Sequence, residues 1–195
     1  SLGRIGSLEV RLATHKREIR KAQKLRYKVF YEEGGAIADA RTAFTRRDLC
    51  AFDRICDHLI VIDHDVLNRF GQRKPKVVGC YRLLRQEVAE RHGGFYSASE
   101  FDIAPLLARH ADKRFLELGR SCVAPAYRDK RTVELLWHGI WTYIRHHKID
   151  AMFGCASFSG TDTDALAVPL SFLHHKALAL TEWRVKARPE RLIPM

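Results

Sequence analysis

No apolar run in this chain is long enough to cross a bilayer; residues 166–173, among the longest, are too short and too polar at their edges. No secretory-signal pattern opens the sequence, and its first residue is Ser rather than Met, as in a trimmed fragment. Internal repeats and low-complexity tracts are missing. So are a helix-turn-helix, an aromatic RNA-binding signature and any zinc-ligand spacing, which leaves nucleic acid the weakest candidate partner. The five cysteines (Cys50, Cys56, Cys80, Cys122, Cys155) include no CxxC pair and sit in apolar contexts, as reduced core thiols of a cytosolic protein would. Acid is scarce: 23 Asp and Glu face 34 Lys and Arg, for a net charge of +11. The basic excess is spread along the chain rather than set in one run, which suits an acidic protein or an anionic membrane surface.

What the chain does have is core. With 195 residues, 46% of them apolar and 10% aromatic, one domain over 1–195 can bury a substantial interior, and disorder is excluded. Residues 8–13 alternate apolar and polar side chains and predict a first strand. Thr14 is placed to cap a helix carrying Ile19, Leu25, Val29 and Phe30 and ending at Gly34-Gly35. Residues 36–57 read as polar and irregular, too long for a simple connector and suited to a substrate lid. Strands are expected at 59–62 and 76–84, joined by a polar turn through Asn68, Gly71 and Pro75. A glycine-bearing loop follows at 91–98, then a short helix started by Ser99 and Asp102 and running to Leu107. A strand over 115–123 leads into a long helix whose Val133, Leu136, Trp137, Ile140, Trp141 and Ile144 form one apolar stripe. A buried strand at 151–156, a helix at 162–175 and a strand at 181–185 complete the series. Together they predict an α/β chain with a mixed, mostly antiparallel central sheet and helices on both faces. Phe153, Phe158, Leu170 and Phe172 are expected to pack in the core or to line an acyl channel.

Residues 115–128, FLELGRSCVAPAYR, are the most informative segment, because Glu117 and Arg120 interrupt an apolar strand. Three apart on a regular strand, they would face opposite sides, and each would need a partner or a polar cleft. The order of strand, V-x-P-x-Y-R turn and helix resembles the acyl-donor site of the GNAT acyltransferase superfamily, which implies a GNAT-like sheet. Leu25-Arg26-Tyr27-Lys28-Val29-Phe30, Asp48 and Asp53, Val78-Gly79-Cys80-Tyr81-Arg82-Leu83 and Glu117-Leu118-Gly119-Arg120 are similar, in order, to motifs of the acyl-homoserine-lactone synthases. The tryptophan those synthases carry after the first helix is missing from 34–37. Downstream, RxKRTxELLWxGIWxY at 128–143, DAMFGCASFxG at 150–160 and LSFLHH at 170–175 resemble the ornithine-acyl carrier protein N-acyltransferases of bacterial ornithine-lipid synthesis. The resemblance covers roughly residues 8–190. That family runs on with a further apolar, glycine-rich segment, so full activity is expected to need more than these residues.

The residues allow matching chemistry. GNAT acetyltransferases bind the coenzyme A diphosphate on a loop R/Q-x-x-G-x-G/A whose glycines admit close backbone approach. Arg128-Asp129-Lys130-Arg131-Thr132-Val133 has no glycine and adds positive charge. The resemblance thus implies, as donor, the phosphopantetheine thioester of acyl carrier protein, with no other cofactor. Cys122, Val123, Arg128, Lys130, Arg131 and Thr132 would line its path, and a backbone N–H near Cys122 or Val123 would meet the oxyanion. Glu117 is the candidate general base; the alternative is an ion pair with Arg82 or Arg120 that only orders the sheet. Arg26, Arg82 and Arg120 can bind a carboxylate bidentately. Asp48 and Asp53 could hold a second ammonium of the substrate or cap turns. Cys122 and Cys155 lack a paired base for nucleophilic work, and the adjacent His146-His147 and His174-His175 diverge too far on a helix to chelate one metal ion. The function implied is transfer of a (3-hydroxy)acyl group to the α-amine of ornithine, in the cytoplasm, with peripheral contact to an anionic inner membrane. The rivals are a lactone synthase, an N-acyltransferase for another amino acid, and a non-catalytic, hemolysin-like membrane-binding protein.

Overall fold

Sheet formation starts three residues into the chain, earlier than the sequence pattern predicts. The computed structural model describes residues 1–193. β1 (Gly3–Ile5) and β2 (Leu8–Leu12) form a hairpin that turns at Gly6, whose φ of 60° is one that glycine adopts freely. β3 (Asp57–Asp63), β4 (Lys76–Arg85), β6 (Phe115–Val123) and β7 (Ala151–Phe153) extend this hairpin into a six-stranded sheet of order β1-β2-β3-β4-β6-β7. Every pair is antiparallel except β6 with β7. β5 (Phe101–Asp102) and β8 (Lys186–Ala187) make a separate two-stranded ribbon.

The central strands read as continuous apolar runs because both sheet faces are covered. Leu59, Val61, Val78, Leu83 and Leu116 pack on one side against Leu135, Leu136, Ile140 and Tyr143 of α5 (Lys130–His147). Ile60, Ile62, Val77, Cys80 and Cys122 pack on the other against Ala22 and Leu25 of α1 (Lys16–Tyr27). A third cluster joins Leu84, Phe95 and Phe115 to Ala89 of α3 (Gln86–Arg91) and Leu106 of α4 (Ala104–Arg109). Helices therefore lie on both faces of a mixed, mostly antiparallel sheet, as predicted. The sequence expectation of one unbroken stripe on α5 needs correction. Leu136 and Ile140 are buried, but Val133, Trp137 and Trp141 are exposed.

Several local expectations also change. Thr14 does not cap α1 through its hydroxyl; Glu18 reaches back to accept the Thr14 N–H at 2.9 Å and also holds Arg11, whose guanidinium helps draw the Glu18 carboxyl down to about 2. Residues 36–57 are not irregular, since they contain α2 (Ala40–Thr45) and a 3₁₀ turn at Ala51–Arg54. The loop expected at 91–98 is preceded by α3 and contains the start of a 3₁₀ turn at Tyr96–Ser99. Ser99 and Asp102 do not start a helix: Asp102 is in β5, and Ser99 Oγ donates to the Tyr96 carbonyl. β7 ends at Phe153, three residues short of expectation, and the expected strand at 181–185 is a 3₁₀ turn at Thr181–Trp183. α6 (Thr163–Ala177), capped by Asp162, forms as expected but buries no residue, and Phe158 and Phe172 are exposed rather than core.

Candidate active site

The strand carrying Glu117 and Arg120 is not regular, and its irregularity builds the site. The register of β4 against β6 slips between Cys80 and Arg82, opposite Arg120, whose φ is 53°. A left-handed residue inserted in a strand shifts the side-chain alternation by one. Glu117 and Arg120 consequently line the same small cleft instead of opposite faces, together with Arg82, Tyr96, Ser97, Glu100, Cys155 and Ser157. The cleft is a chamber of about 100 Å³.

Glu117 is buried, yet it makes none of the ion pairs weighed for it. Its Oε2 accepts the Tyr96 N–H at 3.0 Å and its Oε1 the Ser97 N–H at 2.6 Å. These backbone donors fix the carboxylate in the chamber wall while leaving a lone pair on each oxygen. Tyr96 also lies beneath two guanidiniums, with Arg82 at 5.8 Å and Arg120 at 5.6 Å from its ring centre. The signal that could have found Tyr96 and Ser97 was weak: a Gly93-Gly94 pair at φ of 90° and 102° that turns the chain back towards β6.

The arginines and aspartates form a buried knot behind this chamber. Arg26, only 1% exposed, sets Nε 2.8 Å from Asp48 Oδ2 and donates from one Nη to Asp53 Oδ2 and to the Asp48 carbonyl, each at 2.7 Å. Arg82 lies 3.4 Å from Asp53 and Arg120 3.6 Å from Asp48. Gln23 donates to Asp53, Tyr31 donates to Asp48, and His58 Nε2 meets the Asp53 carbonyl at 2.9 Å. Burial pushes the Asp53 carboxyl up, but the hydrogen bonds from Arg26 and Gln23 and the Arg26 charge outweigh it and leave it below the usual range. Arg26 stays charged for the reciprocal reason: burial opposes its charge, and Asp53 more than compensates. Burial, helped by the Arg26 and Arg82 charges, lowers His58 against the opposing pull of Asp53, so its imidazole favours the neutral form. Arg26, Asp48 and Asp53 are thus committed to one another, and within segment 36–57 the stretch from Asp48 to Asp53 is tied to α1. Of the three arginines expected to bind a carboxylate, only Arg82 and Arg120 reach the chamber, and Arg120 is the more open, at 30% exposure.

The chamber opens into a wedge between β6 and the chain after β7. The two strands pair only as far as Glu117 with Phe153, after which they part. Gly154 marks the parting: a Cβ there would lie 2.2 Å from the Leu118 carbonyl oxygen, so only glycine lets the chain pass. The resulting cleft, about 850 Å³, is lined by Val29, Phe30, Tyr81, Trp137, Phe153 and Phe158 among others, which explains the exposed Trp137. At its far end, the Ala124 N–H bonds back to β4, so strand alternation points the Val123 N–H to the open edge.

The loop expected to line the donor path divides. Cys122, Val123, Arg128 and Lys130 border a second opening beside the wedge, with Arg128 held by Glu33 at 2.6 Å and Lys130 near Glu134 at 3.5 Å. Thr132 is fully buried, and its N–H is taken by the Asp129 cap at 2.8 Å. Arg131 points instead to the β1–β2 turn, beside Gly6. The Cys80 and Cys122 sulfurs lie 3.5 Å apart; the bond to Cys80, with burial, holds the Cys122 thiol well above its usual value and makes it a poor nucleophile. Among the described residues no His, Cys, Asp and Glu cluster forms a metal site.

The last two strands of the sheet, β6 and β7, part beside the bulge at Arg120, and the family model of the acetyltransferase (GNAT) domain matches residues 25–138. The chain belongs to this family. It is also 57% identical to the L-ornithine N(alpha)-acyltransferase of Agrobacterium fabrum (strain C58 / ATCC 33970), an alignment covering 96% of this chain and 63% of that protein. The chain therefore spans under two thirds of that relative's length. Two solved structures share its fold. The N-acyl amino acid synthase FeeM from uncultured soil microbes superposes with a TM-score of 0.53 at 15% identity, covering 85% of this chain and 77% of that one. The AHL synthase LasI does so with 0.51 at 16%, covering 76% and 72%.

Proposed function

We propose that this domain transfers a (3-hydroxy)acyl group from the phosphopantetheine arm of acyl carrier protein to the α-amine of ornithine, giving lyso-ornithine lipid. The observation that carries the reading is the joined pair of cavities: a small polar chamber holding Glu117 and Arg120, opening into a long cleft with apolar walls. The cleft suits the pantetheine thioester and its chain, and the chamber suits a small amino acid. The amine nitrogen attacks the thioester carbonyl, the C–S bond breaks, and an amide and a free thiol result. Glu117 takes the proton from the amine, directly or through a water, and the thiolate leaving group is reprotonated. Arg120 offers its guanidinium to the substrate carboxylate.

Asp48 and Asp53 are already held by Arg26, so the second ammonium of ornithine falls to Glu100, a chamber carboxylate with no ion pair among the described residues. The relative's name supports ornithine, and the basic, glycine-free 128–133 loop supports a carrier-protein donor over coenzyme A. The +11 charge supports peripheral contact with an anionic inner membrane. The test is acyl transfer from 3-hydroxypalmitoyl carrier protein, with ornithine and norleucine offered separately and products weighed by mass spectrometry. Acyl-ornithine is expected, with Glu100→Gln raising KM for ornithine about ten-fold and leaving norleucine unaffected. Transfer to neither amine, in this chain and in the longer form of its relatives, would sink the reading.

A further inference from the structure

A second groove, smaller than the acyl-transfer cleft, is also mainly apolar. It lies on the other side of Val29, about 580 Å³ in volume, between α1, the β3–β4 connection and the turn after β6. Leu25, Val66, Val77, Pro125 and Tyr127 are among its apolar walls. Five lysines ring it: Lys21 and Lys24 on α1 and Lys28 just past its end, at one-turn spacing, with Lys74 and Lys76 opposite. None of the five makes an ion pair among the described residues. Both glutamates on the rim are already taken, Glu32 by Arg46 and Glu33 by Arg128. The positive charge around this groove is therefore unneutralised.

Apolar surface continues outward along the β3–β4 connection. Phe70 and Leu67 are 70% and 59% exposed near its tip, with the Arg69 guanidinium 4.6 Å from the Phe70 ring centre. We propose that this face, with Phe70 and Leu67 as wedge and the groove lysines as collar, docks on an anionic lipid leaflet. Lysines on flexible stems reach headgroup phosphates while their carbon chains lie on apolar surface, and an aromatic tip sinks to the headgroup boundary. An exposed apolar tip beside the lysines favours a bilayer over an acidic protein, which would need only the charges. The assignment gives the membrane contact a place and does not depend on the acyl-transfer reading.

The experiment is co-sedimentation of the purified chain with vesicles of phosphatidylglycerol in phosphatidylcholine, against phosphatidylcholine alone. Binding to the anionic vesicles is expected to fall at least about ten-fold in Lys21→Glu/Lys24→Glu/Lys28→Glu, each lysine being exposed. It should fall also in Phe70→Ser, whose exposed position keeps folding out of the comparison. A control with Arg145→Glu/Lys148→Glu/Lys176→Glu changes the charge equally on other elements and should still bind. Equal loss in that control would reduce the effect to net charge and overturn the proposal. Absence of binding by the folded wild-type chain would also overturn it, as would capture of acidic carrier protein by these lysines in place of vesicles.

Discussion

Glu117 is held by two backbone N–H groups and is the proposed general base, and the two roles separate under substitution. Replacing it with glutamine puts an NH₂ against one of the two backbone N–H donors from Tyr96 and Ser97. Glu117→Gln should therefore lower stability by about 1–3 kcal/mol, read by denaturant unfolding, as well as lowering kcat by about 10²–10⁴-fold. A destabilised variant with unchanged kcat would leave Glu117 a purely structural residue. Asp53 carries the acid sensitivity of the knot. Its carboxyl titrates lower folded than unfolded, so its stabilisation is complete above the unfolded value, about 3.9, and is lost as pH falls through the folded value. Unfolding midpoints taken between pH 6 and pH 2 should drop steeply below about pH 4, and Asp53→Asn should flatten that drop while costing about 3–5 kcal/mol at neutral pH. The sequence marked Glu117 and Arg120 because a charge inside an apolar strand demands an explanation. It did not reveal that Arg120 sits at a bulge, since an arginine at positive φ leaves no compositional trace. The pairing of Arg26 with Asp48 and Asp53 was hidden for another reason: contacts 22 and 27 residues apart along the chain are made by folding, not by spacing.

At the level of elements, α5 shows how closely a helix can approach a sheet and what fixes the distance. Gly139 faces β2 and β3, where a Cβ would lie 2.7 Å from Val10 Cγ2 and 3.2 Å from Leu59 Cδ1. Gly139→Ala gains helix propensity, nominally up to about 1 kcal/mol, but must push the helix outward against a packed core. The net expectation is a loss of about 1–3 kcal/mol, measured as a lowered Tm; a raised Tm would mean the layer yields easily. Strands and long helices were legible wherever their apolar pattern was strong, as in the continuous runs of β3 and β4, in β6 and in α5. Short pieces were not, because α3, β1 and the β5–β8 ribbon rest on contacts to neighbours rather than on their own periodicity. The stripe on α5 misled for a physical reason: Trp137 and Trp141 border a cleft, and a cleft wall is as apolar as a core.

For the molecule as a whole, the dominant quantity is charge. An excess of eleven positive charges should speed encounter with the proposed donor, an acidic carrier protein, more than it tightens the complex. KM for carrier protein should rise several-fold between about 0.05 and 0.5 M salt while kcat holds, since screening reaches encounter but not the buried knot. A kcat that falls in parallel would place the salt-sensitive contacts in the reacting complex. The knot has a consequence for descent as well. Arg26, Asp48, Asp53, Arg82 and Arg120 interlock, so a lineage that alters one of the members tied through Arg26, namely Arg26, Asp48 or Asp53, must pass through a crippled intermediate unless its partner changes with it. Glu100 stands outside that mesh. With Glu100 meeting the acceptor amine as proposed, single steps toward a different acceptor are open at Glu100 and nearly closed behind Arg26, so new substrate preferences in this lineage would arise in the chamber wall while the knot behind it stays as inherited.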